Sequence, residues 1–396
     1  MKEKTSALYS EYIIDGVRED LTPAAMLDSC VMNTAVKSDG EFHHGHCADK
    51  AKPQYDPIAD ETIDPTPGTY AYDNSQLDQY LQETAGSATE PRNCPISFSE
   101  QFTRYKIAKA LIDAIWMGGH FKLGDIFISI EWLWDSKRLG NMAAFYASAS
   151  AAAEYIENLG VRLSSYSFSE KNGCALMSFK VGVKAHPKSS EDDEGEDLIM
   201  KLPFETEHPK MGKERACPDI FKEDENSWLI YIPFDSADPL LGGSLLAEKL
   251  NASGNIAPDI IDSDYTIDCY EVVRELVEDR IICAGTTVGN GGLLTALERM
   301  RCPGFGAVID IDDLLKAYGA DKVHCLFAEI PGAIIQIEDK DYDYVDAELL
   351  LQDIAYYPLG HPKKGGNGIG INTSGTSGIS GILQSLMGSQ TSEGED

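Results

Sequence analysis

The sequence is short of cations, of paired cysteines and of long apolar runs. Over 396 residues it carries 33 Lys+Arg against 65 Asp+Glu, a formal charge of −32. A surplus of that size repels phosphate backbones and anionic lipid, and no local basic patch relieves it, so neither nucleic acid nor a membrane surface is an expected partner. No uncharged apolar stretch reaches the roughly 20 residues that a spanning helix needs. The opening MKEKTSALYSEYIIDG has no apolar core of the kind a secretory leader carries, and the expectation is a cytoplasmic protein. The nine cysteines are odd in number, scattered and free of any CxxC pair, which excludes a zinc ribbon or a thioredoxin-like centre and fits reduced thiols. Also absent are a P-loop, a Rossmann fingerprint, HExxH, a nucleophile elbow and a reactive-cysteine signature.

What is present is enough apolar material, 43% of residues, to fill a substantial core in two or three domains or one large one. Residues 1–90 are rich in Asp, Pro, Thr and Tyr and read as an irregular extension, with short helices over 22–32 and 74–83. From residue 97 helical spacing sets in, with Ile107, Ala108, Leu111, Ile112 and Ile115 on one face. DIFISIEWLW (125–134) alternates as a strand does, 143–159 reads as an Ala-rich helix stopped by Gly160, and 161–168 and 174–183 read as a hairpin-like pair of strands. The charge run SSEDDEGED (189–197) is a solvated loop. Beyond it come strands at 227–233, 280–284, 307–311 and 332–337, interleaved with helices at 243–249, 268–278, 293–300, 312–318 and 345–351. The tail from Gly365 is Gly/Ser/Thr-rich and expected to be flexible, with one docking turn at 382–387.

Three constellations carry possible chemistry. GTTVGNGGLL (285–294) stands between a strand and a helix, so the N–H groups near Gly291 and Gly292 would point at an anion such as phosphate; a tight turn that needs glycine for steric reasons explains the same residues. Gly242 and Gly243 permit a turn into a helix that Ser244 caps. His43, His44, His46 and Cys47 form either a solvated polar loop or a partial metal site, and His186 and His324 are isolated and read as structural. Asp125, Glu131, Asp135, Asp310, Asp312 and Asp313 lie near strand ends, where Mg²⁺ needs only one or two carboxylates if phosphate and water complete its shell.

Taken in order, these segments resemble one family. Residues 268–300 with their GNGGLL turn, GFGAVIDI (304–311), LFAEIPGAIIQI (326–337) and LGGSLLA (241–247) are similar to the C-terminal domain of the aminoimidazole-ribonucleotide-synthetase (PurM/PurL) superfamily. The match is best to the second synthetase-like half of phosphoribosylformylglycinamidine (FGAM) synthase. IAKALIDA (107–114), Gly124-Asp125-Ile126 and the Trp132 strand resemble its N-terminal domain. The resemblance implies an α/β plus α+β, PurM-like two-domain unit at 91–205 and 206–358, with 1–90 as an acidic extension and 359–396 as a tail. The sheet of the first domain would pair with a second copy into a barrel, or join a larger assembly with a glutaminase or synthetase partner chain. It further implies ATP or ADP with Mg²⁺ between the domains, near Gly242, Gly243, Ser244, Gly289, Asn290, Gly291 and Gly292, with Asp125 as the metal ligand.

The departures are as informative. Where the family has His-Asp-x-Ser-Asp before Gly-Gly, this chain has Thr286-Thr-Val-Gly-Asn290, so an imidazole and two carboxylates are replaced by groups that bring no charge to Mg²⁺. Tyr166-Ser-Phe-Ser-Glu-Lys171 stands in place of the family's Gly-Lys-Asp-Ser-Met-Ser, and Glu131 in place of Asn. The expected function is that of a partly degenerate homologue acting in binding or assembly, with a residual nucleotide or phosphate site near Gly242–Ser244 and Gly289–Gly292. The alternative is a working subunit of a split FGAM synthase in purine biosynthesis.

Overall fold

The computed structural model describes residues 7–31, 58–61, 80, 91–117, 121–183, 215–250, 256–366 and 368–372. The His/Cys run at 43–47, His186, the charge run at 189–197, the docking turn at 382–387 and, Tyr80 apart, the helix expected at 74–83 lie outside them.

The N-terminal stretch is more ordered than its composition suggests. Strands β1 (Tyr12–Ile14) and β2 (Val17–Arg18) form a small sheet with β3 (Ile58–Glu61), in the order β2-β1-β3. Helix α1 (Pro23–Cys30) follows β2; the Thr22 hydroxyl accepts from the Ala25 N–H at 3.2 Å and Pro23 sits in the first turn, where its missing N–H costs nothing. Leu8, Tyr12 and Leu27 are buried in the same core as the elements that come next.

Those elements are α2 (Ser99–Ile115), β4 (Ile126–Trp134), α3 (Asn141–Asn158), β5 (Arg162–Glu170) and β6 (Ala175–Val183). The last two strands are not the hairpin that their spacing predicts. The sheet order is β5-β4-β6, with β5 parallel and β6 antiparallel to β4. The alternation of β4 buries Ile126, Ile128, Ile130, Trp132 and Trp134 on one face, and a strand with that much apolar surface takes the centre. The turn between β5 and β6 therefore crosses over the end of β4: Lys171 N donates to Trp134 O (2.8 Å) and Asp135 N to Cys174 O (2.7 Å). The Asp135 carboxylate accepts from Gly173 N at 2.7 Å and holds the crossing in place. Helices α2 and α3 cover the apolar face, where Ser148 accepts from Trp132 Nε1 (3.0 Å) and lies 2.8 Å from Thr103 Oγ1.

The remaining chain is β7 (Trp228–Pro233), α4 (Leu245–Lys249), α5 (Ser263–Glu278), β8 (Ile282–Val288), α6 (Gly292–Met300), β9 (Phe305–Asp310), α7 (Asp312–Tyr318), α8 (Lys322–Phe327), β10 (Gly332–Ile337), α9 (Tyr342–Leu351), β11 (Tyr357–Lys364) and β12 (Ile369–Asn372). Its six-stranded sheet runs β12-β9-β11-β7-β10-β8. One face, with Ile230, Ile232, Ala333 and Ile335, belongs to the core shared with β4, α2 and α5; the other, with Leu229, Tyr231, Ile334 and Ile309, faces α6, α7 and α8. Gln336 is wholly buried in β10, but its amide exchanges bonds with Lys222 N (2.8 Å) and Lys222 O (2.9 Å), so no polar group is stranded.

Two expectations are corrected here. Residues 285–288, read as the opening of a glycine-rich turn, continue β8, because Trp116 Nε1 bonds Thr287 Oγ1 (2.8 Å) and the indole fills the space beside Gly285. The stretch from 359 read as a flexible tail contains most of β11 and all of β12, both in the sheet.

Asp235, just past β7, is buried and ties that strand's exit to the start of α5, accepting from Ala237 N (2.8 Å) and Asp262 N (3.0 Å). Burial, and after it the neighbouring Asp262, pushes its carboxyl up from 3.8 to about 6 against the pull of the backbone donors. Between those values the folded state binds the proton that the unfolded chain releases, so this group adds stability as pH falls through 6, on the order of 3 kcal/mol once pH is below 3.8. Thermal midpoints are expected to rise from pH 7 to pH 5, and more steeply for the wild type than for Asp235→Asn; equal slopes would remove Asp235 as the cause.

Candidate functional site

Of the seven residues singled out in the two glycine turns, Gly291 bonds a side chain that lies between the turns and Gly243 bonds that side chain's partner. Gly242 N donates to Ile256 O at 2.8 Å, and the Ser244 hydroxyl accepts from Ala247 N at 3.1 Å, capping α4. In the second turn Gly291 and Gly292 both take left-handed backbone (φ +83° and +72°). A Cβ on Gly292 would lie 2.7 Å from the Leu326 carbonyl and the Phe327 backbone, so the turn needs glycine for its own packing. Thr295 Oγ1 donates to Gly291 O at 2.8 Å, and Asn290 Oδ1 accepts from the buried Tyr105 hydroxyl at 3.1 Å.

Between the turns lies the carboxylate of Glu329, delivered by the LFAEIPG segment that joins α8 to β10. One oxygen accepts from Leu245 N and from Gly291 N, both at 2.8 Å. The other pairs with the Arg92 guanidinium, whose Nη2 also donates to Gly243 O at 3.1 Å. Both side chains are only 6% exposed. Burial alone would lower the Arg92 pKa, but the charges of Glu329, then Tyr105 and Glu248, outweigh it and leave it raised. Lys106, over the Phe102 ring at 5.3 Å, moves the other way, down to about 8, through burial and then the like charges of Arg92 and Lys109. What remains open among Phe98, Phe102, Tyr105, Gly242, Gly243 and Glu329 is a cavity of about 20 Å³, room for one water.

Asp125 is not brought to this place. It precedes β4, whose far end Trp134 pairs with Ala175; Ala175 N donates to Asn93 Oδ1 at 2.9 Å, so Arg92 stands at the other end of the strand, roughly 26 Å along it. Asp310 accepts from Asp312 N (2.8 Å), Asp313 pairs with Lys316 (2.9 Å), and Glu131 lies on the exposed side of β4. His324 sits 2.9 Å from Asp321, the residue that caps α8. Among the described residues no three His, Cys, Asp or Glu side chains are placed to hold a metal ion. At the glycine turns Leu245 N and Gly291 N are bonded to Glu329 and Gly292 N to Gly289 O, so a phosphate would have to displace that carboxylate to reach the first two. Glu329 and Arg92 were not picked out from the sequence. The one available signal was a lone acid in the apolar run LFAEIPG; nothing local marks Arg92.

No protein-family model matches the chain. It is 25% identical over 313 residues to a probable chloroplastic/mitochondrial phosphoribosylformylglycinamidine synthase of Arabidopsis thaliana, covering 76% of this chain and 20% of that one. It is 23% identical over 289 residues to the phosphoribosylformylglycinamidine synthase of Homo sapiens, covering 72% and 20%. Among solved structures, Thermotoga maritima PurL complexed with FGAR superposes with a TM-score of 0.46 at 14% identity, over 71% of this chain and 40% of that one. Escherichia coli HypE, a hydrogenase maturation protein, gives 0.42 at 12%, over 69% and 76%. In sequence the chain is thus similar to FGAM synthases, and it spans about a fifth of the length of the curated relatives it matches.

Removing one partner of a buried ion pair strands the other, at a cost of about 3–5 kcal/mol. Glu329→Gln and Arg92→Met are each expected to lower the denaturation midpoint by an amount in that range. A loss below about 1 kcal/mol, typical of an exposed pair, would show that the clamp is not buried in solution.

Proposed function

We propose that this chain is a derivative of the second synthetase-like half of FGAM synthase that works in binding or assembly and does not perform amidotransfer alone. The observation that carries the reading is the Glu329 carboxylate, bonded to the N–H groups of both glycine turns and paired with Arg92 where an external phosphate would have to sit. The loss of the family's imidazole and carboxylates at residues 286–290 supports it. On this reading the unit has two domains, the first at 91–205 with 7–31 packed into it, the second from 206 through the last strand of the larger sheet. Titration of ATP with Mg²⁺ at millimolar concentration is expected to give no saturable heat. One-to-one binding would overturn the closed site.

Such binding would favour the second reading, a working subunit of a split FGAM synthase that needs a glutaminase or a further synthetase-like chain. The likeness to proteins of that name over about three-quarters of the chain is what keeps this reading in play. Pairing belongs to the same proposal. The outward side of β5-β4-β6 carries Phe127, Leu133 and Leu176 beside Ser129, Glu131, Ser165, Ser167 and Lys180, a mixed face that a second copy could cover. Light scattering at micromolar concentration is expected to report a dimer; a monomer would leave only a different chain as partner.

A further inference from the structure

Helix α9 has two apolar faces, and the fold covers one. Val345 and Leu349 are fully buried on the side that meets α5. The opposite side carries Tyr344, Ala347, Leu350 and Leu351, spaced at three, six and seven residues as in a helical stripe, with the exposed Asp343 set among them. Tyr344 is 46% exposed, Leu350 63% and Leu351 77%. A helix apolar on both faces is ordinarily buried on both, whereas single exposed leucines need no explanation; here three large side chains gather on one ten-residue helix.

The rim of this stripe is acidic. Glu348 lies on the same helix between Tyr344 and Leu351, and Glu275 and Asp279 reach the patch from α5. All three bear on the Tyr344 hydroxyl, whose pKa rises first from partial desolvation and then through Glu348, Asp279 and Glu275. Glu275 also pairs with Arg274 at 3.0 Å. A second copy would bring an identical acidic rim against this one, in a chain that already carries a charge of −32. The complementary surface is a basic one.

We propose that the outward face of α9 is a docking surface for a basic amphipathic helix of a partner protein. The partner's apolar stripe covers Tyr344, Leu350 and Leu351, and its Lys or Arg side chains meet Glu348, Glu275 and Asp279. The binding role proposed above thereby acquires a surface. That surface does not involve the Glu329 clamp, so the two proposals can fail separately.

The test uses the full chain and a labelled Leu/Lys amphipathic peptide, with a Leu/Glu peptide of the same apolar pattern as control, read by fluorescence anisotropy. The Leu/Lys peptide is expected to bind at micromolar concentration and the Leu/Glu peptide not at all. L350S/L351S, which alters only exposed positions, should weaken binding by about tenfold or more, and D279K/E348K should shift preference towards the Leu/Glu peptide. Unchanged thermal melts establish that both variants fold. Equal binding by wild type and L350S/L351S would reduce the effect to diffuse charge attraction and overturn the proposal, as would no binding at hundreds of micromolar. A wild-type dimer that L350S/L351S dissolves would assign the face to a second copy and overturn it too.

Discussion

The buried pair of Arg92 and Glu329 joins four pieces of chain that are distant in sequence. A carboxylate taken out of water alone is costly, and so is a guanidinium. Here each lies against the other; Leu245 N and Gly291 N complete the carboxylate and Gly243 O takes Arg92 Nη2, while Arg92 Nε and Nη1 are buried without a hydrogen bond. The geometry of both glycine turns, the start of α4 and the approach of α2 all follow from where that carboxylate sits. Such a pair adds little net stability compared with an apolar replacement of the same shape. What it supplies is uniqueness, because any other arrangement of these turns leaves a charge unmatched in the interior.

The same bonds define what the site can do. Backbone N–H groups at glycine turns are good anion donors, but a donor bonded at 2.8 Å to an internal carboxylate is not free for a phosphate. Likeness of sequence describes kinship, while activity depends on groups that must be present and available. In this chain the anion that the turns embrace is the protein's own carboxylate.

Much of the architecture could be read from local pattern. The continuous apolar runs of β7 and β10, the alternation of β4 and the Ala-rich α3 each have one simple reading, and the structure follows it. The errors share a cause. Periodicity identifies β5 and β6 as strands but does not say that β4 lies between them, since that choice depends on apolar surface contributed from elsewhere. Pro358 and Pro362 disguise β11; the strand is irregular between Pro358 and Gly360, and Pro362 lies in register opposite Ala307 of β9. Helix α8 spans only six residues, too few for a period to show. Glu329 and Arg92 are 237 residues apart, so neither neighbourhood reveals the other. The glycines themselves admitted two readings, and the one that prevails here is the close approach of backbone to backbone at Gly292.

The shared core has a consequence for how the protein is made. Helix α2 packs against β10 in the buried cluster they share, so its apolar residues find part of their final surroundings more than two hundred residues later. Contacts of such sequence separation are slow to form, because a long loop must close before any burial rewards it. On a ribosome the three-stranded sheet and its helices can collapse early, but part of their apolar surface has no cover until β10 and α9 emerge. During that interval the nascent chain exposes surface that a chaperone, or another nascent chain, can occupy. The strong negative charge then has a use before folding ends, in keeping incomplete copies apart.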